Sequence, residues 1–153
     1  MSNVPANPTP LSLSRKEGGN APHLEVPIQT EADIVVARRA VREAAAQWGF
    51  GTTDTTRLVT GASELARNIF RYACPGVMRL RKLEEGGRIG IELQFEDHGP
   101  GIPNVEEGLR EGFPARGGLG LGIRGTKRLM DEMEIQTKAG QGTIITVRKW
   151  RII

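Results

Sequence analysis

The sequence predicts an α+β fold, a two-layer sandwich in which a mixed or antiparallel sheet is covered on one face by about three helices. Segments with alternating apolar residues and segments with helical spacing occur in the order strand, two helices, two strands, loop, helix and two strands. Glycine and proline residues separate most of these segments. Helices collected on one face of such a sheet give a sandwich of two layers.

The chain has 153 residues, a length at which one domain can bury a core without disulfides or a structural metal. It contains no apolar run close to the roughly 20 residues that a membrane span needs. Its single cysteine, Cys74, excludes an internal disulfide, and no segment resembles a signal peptide. We therefore expect a cytoplasmic protein with no membrane partner.

The charge balance raises the question of nucleic-acid binding, since 21 Lys and Arg against 18 Asp and Glu give a net charge of +3. The basic residues are scattered along the chain. Aromatic residues make up only 5% of the chain, which leaves few platforms on which bases could stack. These features favour a solvated basic surface and predict no nucleic-acid partner.

The first 22 residues are rich in Pro, Asn, Ser and Gly and show no sustained periodicity. Ordering them would cost entropy without burying much surface, so we expect a disordered tail over residues 1–22 and a single domain over residues 23–153. The domain begins with a strand, because apolar residues alternate at Leu24, Val26 and Ile28.

The first helix has a recognisable beginning and end. Thr30 followed three residues later by Asp33 is typical of a helix N-terminus, and apolar residues recur at helical spacing as far as Trp48. Gly49 stands where a C-terminal cap belongs. These signals predict a helix between Thr30 and Gly49.

A second helix is predicted over about residues 55–73, where four apolar residues fall on one stripe and a Pro-Gly pair follows. Strands over residues 77–83 and 88–97 flank a Gly-Gly pair, which predicts a hairpin. After a glycine-rich stretch, helical spacing returns over residues 123–133. A closing hairpin is then expected from strands over residues 135–138 and 143–150.

Two polar residues of the second predicted helix, Glu64 and Asn68, lie four positions apart and project from neighbouring points of one face. Both fall at the rim of the apolar stripe, where a ligand pocket can meet solvent. Such a pair is also common on an ordinary helix surface. The pair alone therefore does not distinguish a site from a plain surface.

The strand over residues 88–97 directs an acid toward the core. Apolar residues alternate strictly from Ile89 to Phe95, and Asp97 continues the same phase. A buried carboxylate is costly unless a buried donor or a ligand satisfies it. Gly99 and Gly101 follow and allow the backbone to approach a ligand closely. A strand that simply breaks into a turn is the alternative.

A second glycine cluster, residues 117–122, runs into the last predicted helix, whose N-terminal amides and dipole suit a phosphate group. Arg116 stands directly before the cluster. The spacing does not match the dinucleotide-binding fingerprint, and no G-x-x-x-x-G-K-[ST] motif occurs. The alternative is a flexible linker, although its alternating leucines would then be exposed apolar groups.

In order and spacing, these motifs together resemble the Bergerat-fold or GHKL superfamily, which unites gyrase, heat-shock chaperones, histidine kinases and mismatch-repair ATPases. The matching motifs are Glu64-Leu65-Ala66-Arg67-Asn68, Asp97-x-Gly99-Pro100-Gly101-Ile102-Pro103, Gly117-Gly118-Leu119-Gly120-Leu121-Gly122 and Gly142-Thr143. The stretch SELARN, the short lid and the ending from Arg128 to Trp150 are similar to the RsbT-type serine/threonine switch kinases of the stressosome. The resemblance covers about residues 24–151.

The resemblance implies roles for four side chains, one in catalysis and three in binding ATP or Mg²⁺. Glu64 would be the general base toward the acceptor hydroxyl, and Asn68 would bind both the cofactor and the metal ion. Asp97 would accept a hydrogen bond from the adenine amino group. Thr143 would support the adenine through Asp97 or a water.

The resemblance also implies cofactor contacts from two glycine-rich segments. Residues 117–122 would wrap the phosphates, and Arg116 would contact the γ-phosphate. The complete set of implied cofactor contacts in these segments is Gly99, Gly101, Ile102, Arg116, Gly117, Gly118, Leu119, Gly120, Leu121 and Gly122.

The implied function is Mg-ATP-dependent serine/threonine phosphorylation of STAS-domain scaffold or antagonist proteins in a stress-signalling partner switch. Once released from such a scaffold, the protein would bind and activate a PP2C-type phosphatase. The alternative is a nucleotide-binding anti-sigma or phosphatase-activating interaction module without kinase activity, against which the presence of Glu64 argues. We expect neither a histidine kinase nor a gyrase-like ATPase, since we find neither dimerisation helices with an acceptor histidine nor a transducer domain.

Overall fold

The computed structural model describes residues 23–102 and 119–152, and these residues form five strands and three helices. The predicted N-terminal tail lies outside the described residues. In chain order the elements are β1 (His23–Ile28), α1 (Glu31–Gln47), α2 (Thr52–Tyr72), β2 (Gly76–Glu85), β3 (Arg88–Asp97), α3 (Leu119–Leu129), β4 (Glu132–Lys138) and β5 (Gly142–Trp150).

The five strands form one sheet in the order β1-β2-β3-β5-β4, and every neighbouring pair is antiparallel. The predicted fold class is confirmed, with the sheet antiparallel rather than mixed. The last strand, β5, lies between β3 and β4, so that the closing hairpin joins the sheet through its second strand. This register places Thr143 directly opposite Asp97.

The hydrophobic core lies between the helices and one face of the sheet. Strand β3 contributes Ile91, Leu93 and Phe95 to this core. Helix α3 contributes Ile123, and Met130, directly after the helix, belongs to the same buried cluster. Helix α2 packs against both α1 and α3. Full burial of an isoleucine, leucine, phenylalanine or methionine side chain stabilises a fold by about 1.5–3 kcal/mol relative to leaving it exposed. The alternating apolar residues therefore fix which face of the sheet carries the helices.

The opposite face of the sheet carries ion pairs. Glu92 accepts from Arg81 at 3.0 Å and from Arg148 at 2.9 Å, and Glu96 accepts from Arg79 at 2.8 Å. Both carboxylates are largely buried beneath these arginines. Because residues alternate between faces along a strand, this polar face is the counterpart of the apolar one.

The predicted limits of the first helix are confirmed. Helix α1 has Thr30 as its N-cap, and the Asp33 carboxylate accepts hydrogen bonds from the backbone N–H groups of Gln29 and Thr30 at 2.8 and 2.9 Å. These bonds lower the pKa of Asp33. Gly49 follows the helix with φ of 80°, a left-handed conformation that glycine adopts without strain.

Two helices have limits that differ from the predicted ones. Helix α2 begins at Thr52 rather than near residue 55, with Gly51 as its N-cap. The sequence predicts the last helix over residues 123–133, but it covers Leu119–Leu129, and Met133 lies in β4 opposite Val147. The helix ends where Asp131 turns toward β5: its carboxylate accepts the Trp150 N–H at 2.7 Å.

Candidate active site

A pocket of about 480 Å³ opens between the second half of α2, the end of β3 and the β4–β5 hairpin. Its volume falls within the roughly 300–1,000 Å³ range of small-molecule sites. Three polar side chains, from Asn68, Asp97 and Thr143, face a lining that is otherwise largely apolar or backbone. The rest of the lining is Leu65, Ile69, Tyr72, Ala73, Phe95, Pro100, Gly101, Ile102, Ile123, Ala139 and Ile145.

Asp97 is the buried acid of the pocket. It is 8% exposed and ends β3 on the core face, as its phase in the sequence predicts. One carboxylate oxygen, Oδ1, accepts the Gly99 N–H at 2.9 Å. Burial raises the pKa of Asp97, and this rise is opposed by the backbone hydrogen bond from Gly99, by nearby His98 and by a backbone hydrogen bond from Thr143. The carboxylate therefore retains acceptor capacity that a donor from a ligand could fill.

Asn68 reaches the same pocket from α2. Its Nδ2 is buried and has no hydrogen-bond partner among the described residues. An unsatisfied buried polar group costs about 1–3 kcal/mol, so a ligand that pairs with this amide would relieve an existing cost. A half-turn of the amide exchanges its two ends, so that Asn68 can present either a donor or an acceptor oxygen.

Glu64 lies one turn before Asn68 but outside the pocket lining. Its side chain is 41% exposed, and one carboxylate oxygen lies 3.3 Å from Nη1 of Arg67. The structure therefore does not bring Glu64 into direct contact with the pocket that Asn68 and Asp97 line. It lies on the adjoining surface of α2, within one helical turn of the pocket wall.

The floor of the pocket is a close contact between the loop after β3 and the β4–β5 hairpin. Gly101 has φ of 88°, and a Cβ there would lie 2.8 Å from the Lys138 carbonyl oxygen. Gly142 has φ of 120°, and a Cβ there would meet the carbonyl oxygen of Asp97. Because only glycine tolerates both conditions, these two positions allow the backbone segments to touch.

The other predicted cofactor residues divide into four groups. Ile102 lines the pocket, whereas Gly99 supports Asp97 through its N–H and is not part of the lining. Residues 119–122 form the first turn of α3, which corrects their prediction as a loop before the helix. A glycine in a helix interior is less favourable than alanine by about 1 kcal/mol. Burial of Ile123 and Thr126 later in α3 offsets this cost. Arg116, Gly117 and Gly118 lie outside the described residues.

Sequence reasoning missed several contributors. Tyr72 lines the pocket four residues after Asn68, and this helical spacing could have identified it. Ala139 and Ile123 reach the pocket only because of the tertiary fold, and no local pattern indicates them. Thr137, whose hydroxyl lies 2.9 Å from that of Thr143, belongs to none of the predicted motifs.

Two further observations limit the chemistry of the described part of the chain. Within residues 23–102 and 119–152, no group of three or more His, Cys, Asp or Glu side chains could hold a metal ion. None of the described helices is both long and apolar enough to cross a membrane.

Comparison with known proteins identifies relatives of this chain. Residues 28–149 match the model of the histidine kinase-like ATPase domain. The serine/threonine-protein kinase RsbT of Bacillus subtilis is 46% identical over 125 residues, which span 82% of this chain and 94% of that protein. An anti-sigma F factor of Anoxybacillus flavithermus is 30% identical over 120 residues, which span 74% and 81% of the two chains.

Solved structures agree with this assignment at the level of the fold. The RsbU and RsbW domains of a Mycobacterium tuberculosis protein align over 85% of this chain and 32% of that chain, with a TM-score of 0.58 and 20% identity. The SiaB–SiaC complex of Pseudomonas aeruginosa gives a TM-score of 0.54 at 11% identity, over 84% and 88% of the two chains. The chain thus belongs to the histidine kinase-like ATPase family and, within it, to the RsbT-type serine/threonine-protein kinases.

Proposed function

We propose that this chain is an ATP-dependent protein kinase that phosphorylates a serine or threonine of a partner protein in a stress-signalling switch. The observation that carries the proposal is the pocket wall on which a buried carboxylate and an unpartnered amide meet, Asp97 and Asn68. The similarity to RsbT supports the kinase activity, and the family supports ATP as the phosphoryl donor.

The adenine end of the pocket lies at Asp97 and Thr143. The Asp97 carboxylate accepts the Gly99 N–H at Oδ1 and keeps lone pairs that would accept from the exocyclic amino group of adenine. Thr143 stands directly opposite Asp97 and supplies a hydroxyl beside it. Apolar lining residues, among them Ile102 and Ile145, contact the faces of the base. Burial in such a lining strengthens the polar contacts by excluding water.

The phosphate end lies toward Asn68 and the first turn of α3. The amide oxygen of Asn68 is a hard ligand that suits Mg²⁺, which in phosphate sites keeps most of its waters and few protein ligands. Bound Mg²⁺ would supply neutralisation of phosphate charge. The unpartnered Asn68 Nδ2 suits a phosphate oxygen, and a half-turn of the amide would instead present Oδ1 to Mg²⁺. The N–H groups at the start of α3 suit anions. We assign phosphate contacts to residues 117–122 and to Arg116.

In the transfer step, the acceptor hydroxyl oxygen forms a bond to the γ-phosphorus as the bond to the β–γ bridging oxygen breaks. ADP leaves, and the hydroxyl proton passes to the carboxylate of Glu64. An exposed Glu64 next to the pocket suits an acceptor that arrives from outside on another protein. Catalysis then rests mainly on positioning and charge neutralisation.

The partners that we propose are STAS-domain scaffold or antagonist proteins, with a PP2C-type phosphatase as a second partner after release. We place this activity in the cytoplasm. A second candidate function is an interaction module that binds nucleotide without transferring phosphate. That alternative needs no base, so it is equally compatible with a Glu64 that lies outside the pocket lining and pairs with Arg67.

The deciding experiment incubates the purified full chain with γ-labelled Mg-ATP and STAS-domain proteins from the same genome. Acid-stable label on a serine or threonine of one STAS protein is the expected result, since phosphohistidine is lost in acid. Binding of ATP without transfer to any STAS protein, together with activation of a phosphatase, would establish the interaction module instead. Absence of ATP binding would refute both.

A further inference from the structure

We propose that Thr137 is a positioning residue that fixes the Thr143 hydroxyl as a hydrogen-bond donor to the base and so contributes to the choice of adenine over guanine. The inference rests on the proposed function, because it concerns the base-binding end of that pocket. Thr137 lies in β4 opposite Thr143 and is not part of the pocket lining. It can act on a nucleotide only through its neighbours.

The Thr137 hydroxyl joins the two segments that form the pocket floor. Its Oγ1 accepts the N–H of Ile102 at 2.9 Å, across 35 residues of sequence. The same oxygen lies 2.9 Å from Oγ1 of Thr143 and 3.3 Å from the carbonyl oxygen of Gly142. The Gly140 N–H, which donates to the Pro100 carbonyl oxygen at 2.9 Å, forms a second bond between the same segments.

Either hydroxyl can be the donor in the Thr137–Thr143 bond, and we assign the donor role to Thr137. A hydroxyl has one proton to donate, and Thr137 already accepts from Ile102. Its own proton finds a better acceptor in Thr143 at 2.9 Å than in Gly142 at 3.3 Å, which exceeds the usual O–H···O range of about 2.5–3.0 Å. The Thr143 proton is then free to point into the pocket beside Asp97.

This arrangement complements adenine. Asp97 accepts, and Thr143 donates from the position opposite it, whereas adenine presents an amino donor next to a ring-nitrogen acceptor. Guanine presents a carbonyl acceptor next to an N–H donor at the same edge, so that both contacts would be reversed. Without Thr137, the Thr143 hydroxyl rotates freely, and the lone pair that Thr137 had occupied becomes available to accept from the ring N–H of guanine. Loss of the Thr137 hydroxyl should therefore lower the ratio of adenine-nucleotide affinity to guanine-nucleotide affinity.

The test measures binding of ADP and GDP by calorimetry on the full chain, which avoids any dependence on kinase activity. Thr137→Val removes the hydroxyl and keeps the β-branched shape. We expect ADP affinity to fall about fivefold to tenfold, the cost of one neutral hydrogen bond, and the ADP/GDP ratio to fall by at least about threefold. Thr137→Ser keeps the hydroxyl and should bind like wild type.

Thr146→Val is the matched control. It removes a threonine hydroxyl from β5 on the other face of the sheet, where Oγ1 accepts from Gln94 Nε2 at 3.3 Å. We expect it to leave the ADP/GDP ratio unchanged. Should Thr137→Val fail to fold, Thr137→Cys replaces it. A cysteine side chain is close in size to serine, and its thiol is only a weak donor and acceptor, so the variant still removes the strong hydrogen bonds of the Thr137 hydroxyl.

The outcomes separate this inference from the proposed function. Wild type that binds no ADP refutes the proposed function and this inference together. Wild type that binds ADP selectively, with Thr137→Val equal to it in affinity and ratio, refutes the role of Thr137 alone. A Thr137→Val variant that loses ADP and GDP affinity equally also refutes it, because that result indicates a merely structural hydroxyl.

Discussion

Replacing Asp97 with asparagine should weaken nucleotide binding while leaving the free protein at least as stable as wild type. The two side chains have nearly the same shape, so packing is preserved. The Gly99 N–H occupies Oδ1 at 2.9 Å, and a bound adenine amino group needs a second acceptor on the same side chain. An asparagine has only one acceptor oxygen, so it can serve one of these donors but not both.

The size of the binding loss follows from this missing acceptor. A hydrogen bond to a charged group is worth about 1.5–3 kcal/mol, which corresponds to roughly a tenfold to 150-fold loss of affinity. In the Asp97→Asn variant, the asparagine NH₂ would also point a donor at either the Gly99 N–H or the adenine amino group, which are donors themselves. This repulsion favours the upper part of the range of affinity loss. We therefore expect the substitution to raise the Kd for ATP by about one to two orders of magnitude.

The effect on the free protein has the opposite sign. Because burial raises the pKa of Asp97, the native state binds more protons than the unfolded chain between the unfolded and folded pKa values. Stability of the free protein from this group therefore falls as pH rises through that interval. At neutral pH the ionised carboxylate is a cost, and Asp97→Asn removes the cost and its pH dependence.

Calorimetry with ATP and thermal melting of the free protein test both effects, and Asp54→Asn is the control. Asp54 is similarly buried, but it pairs with Arg57 at 3.2 Å and lies 3.7 Å from Lys149, away from the pocket. We expect it to lower stability by about 1–3 kcal/mol and to leave ATP affinity unchanged. Equal ATP affinity for Asp97→Asn and wild type would refute the assignment of Asp97.

Three further predictions concern the rest of the site. Glu64→Ala should lower phosphoryl transfer by about a hundredfold to ten thousandfold and leave ATP binding unchanged, as measured with labelled ATP; equal transfer would exclude Glu64 as the base. Asn68→Ala should weaken both Mg-ATP binding and turnover, with partial recovery at high Mg²⁺; a loss that Mg²⁺ cannot relieve would contradict metal binding. Gly142→Ala should lower the melting temperature far more than Gly140→Ala, because a Cβ at Gly142 meets the Asp97 carbonyl oxygen while the space beside Gly140 is open; similar melting of the two variants would be evidence against this contact.

The parts of the fold that the sequence predicts correctly depend on short-range signals. The N-cap at Thr30, the acid at Asp33 and the left-handed Gly49 lie within or next to the helix that they delimit. The inward direction of Asp97 follows from the period of two in its own strand. In each case the physical cause lies within a few residues of the feature.

The last helix shows where local signals fail. The glycines of residues 119–122 oppose helix formation, yet these residues are helical, and later in the same segment Thr126 and Met130 are buried against α2. Gly61 of α2 allows this approach, since a Cβ there would lie 2.5 Å from the Met130 side chain. Packing between helices distant in sequence therefore outweighs the local preference of these glycines.

The same limit applies to the site. Of the pocket-lining residues with polar side-chain atoms, Asn68, Asp97 and Thr143 belong to the motifs that predict the site, and Tyr72 does not. The group that supports them does not. Thr137 becomes relevant only because the sheet register places it opposite Thr143 and the loop returns Ile102 to its hydroxyl. No periodicity in the sequence encodes a contact across 35 residues.

The position of Glu64 gives the proposed kinase a physical reason to depend on its partner. A folded acceptor protein cannot enter a 480 Å³ pocket that a nucleotide fills, so its hydroxyl must be met at the rim, where Glu64 lies. In the free protein that carboxylate is engaged by Arg67 at 3.3 Å, in an exposed pair worth at most about 1 kcal/mol. A docking partner can therefore displace Arg67 at little cost and desolvate Glu64. A water molecule brings no docking energy and so leaves the Glu64–Arg67 pair intact. Under the proposed mechanism, transfer to the partner is therefore favoured over hydrolysis of ATP.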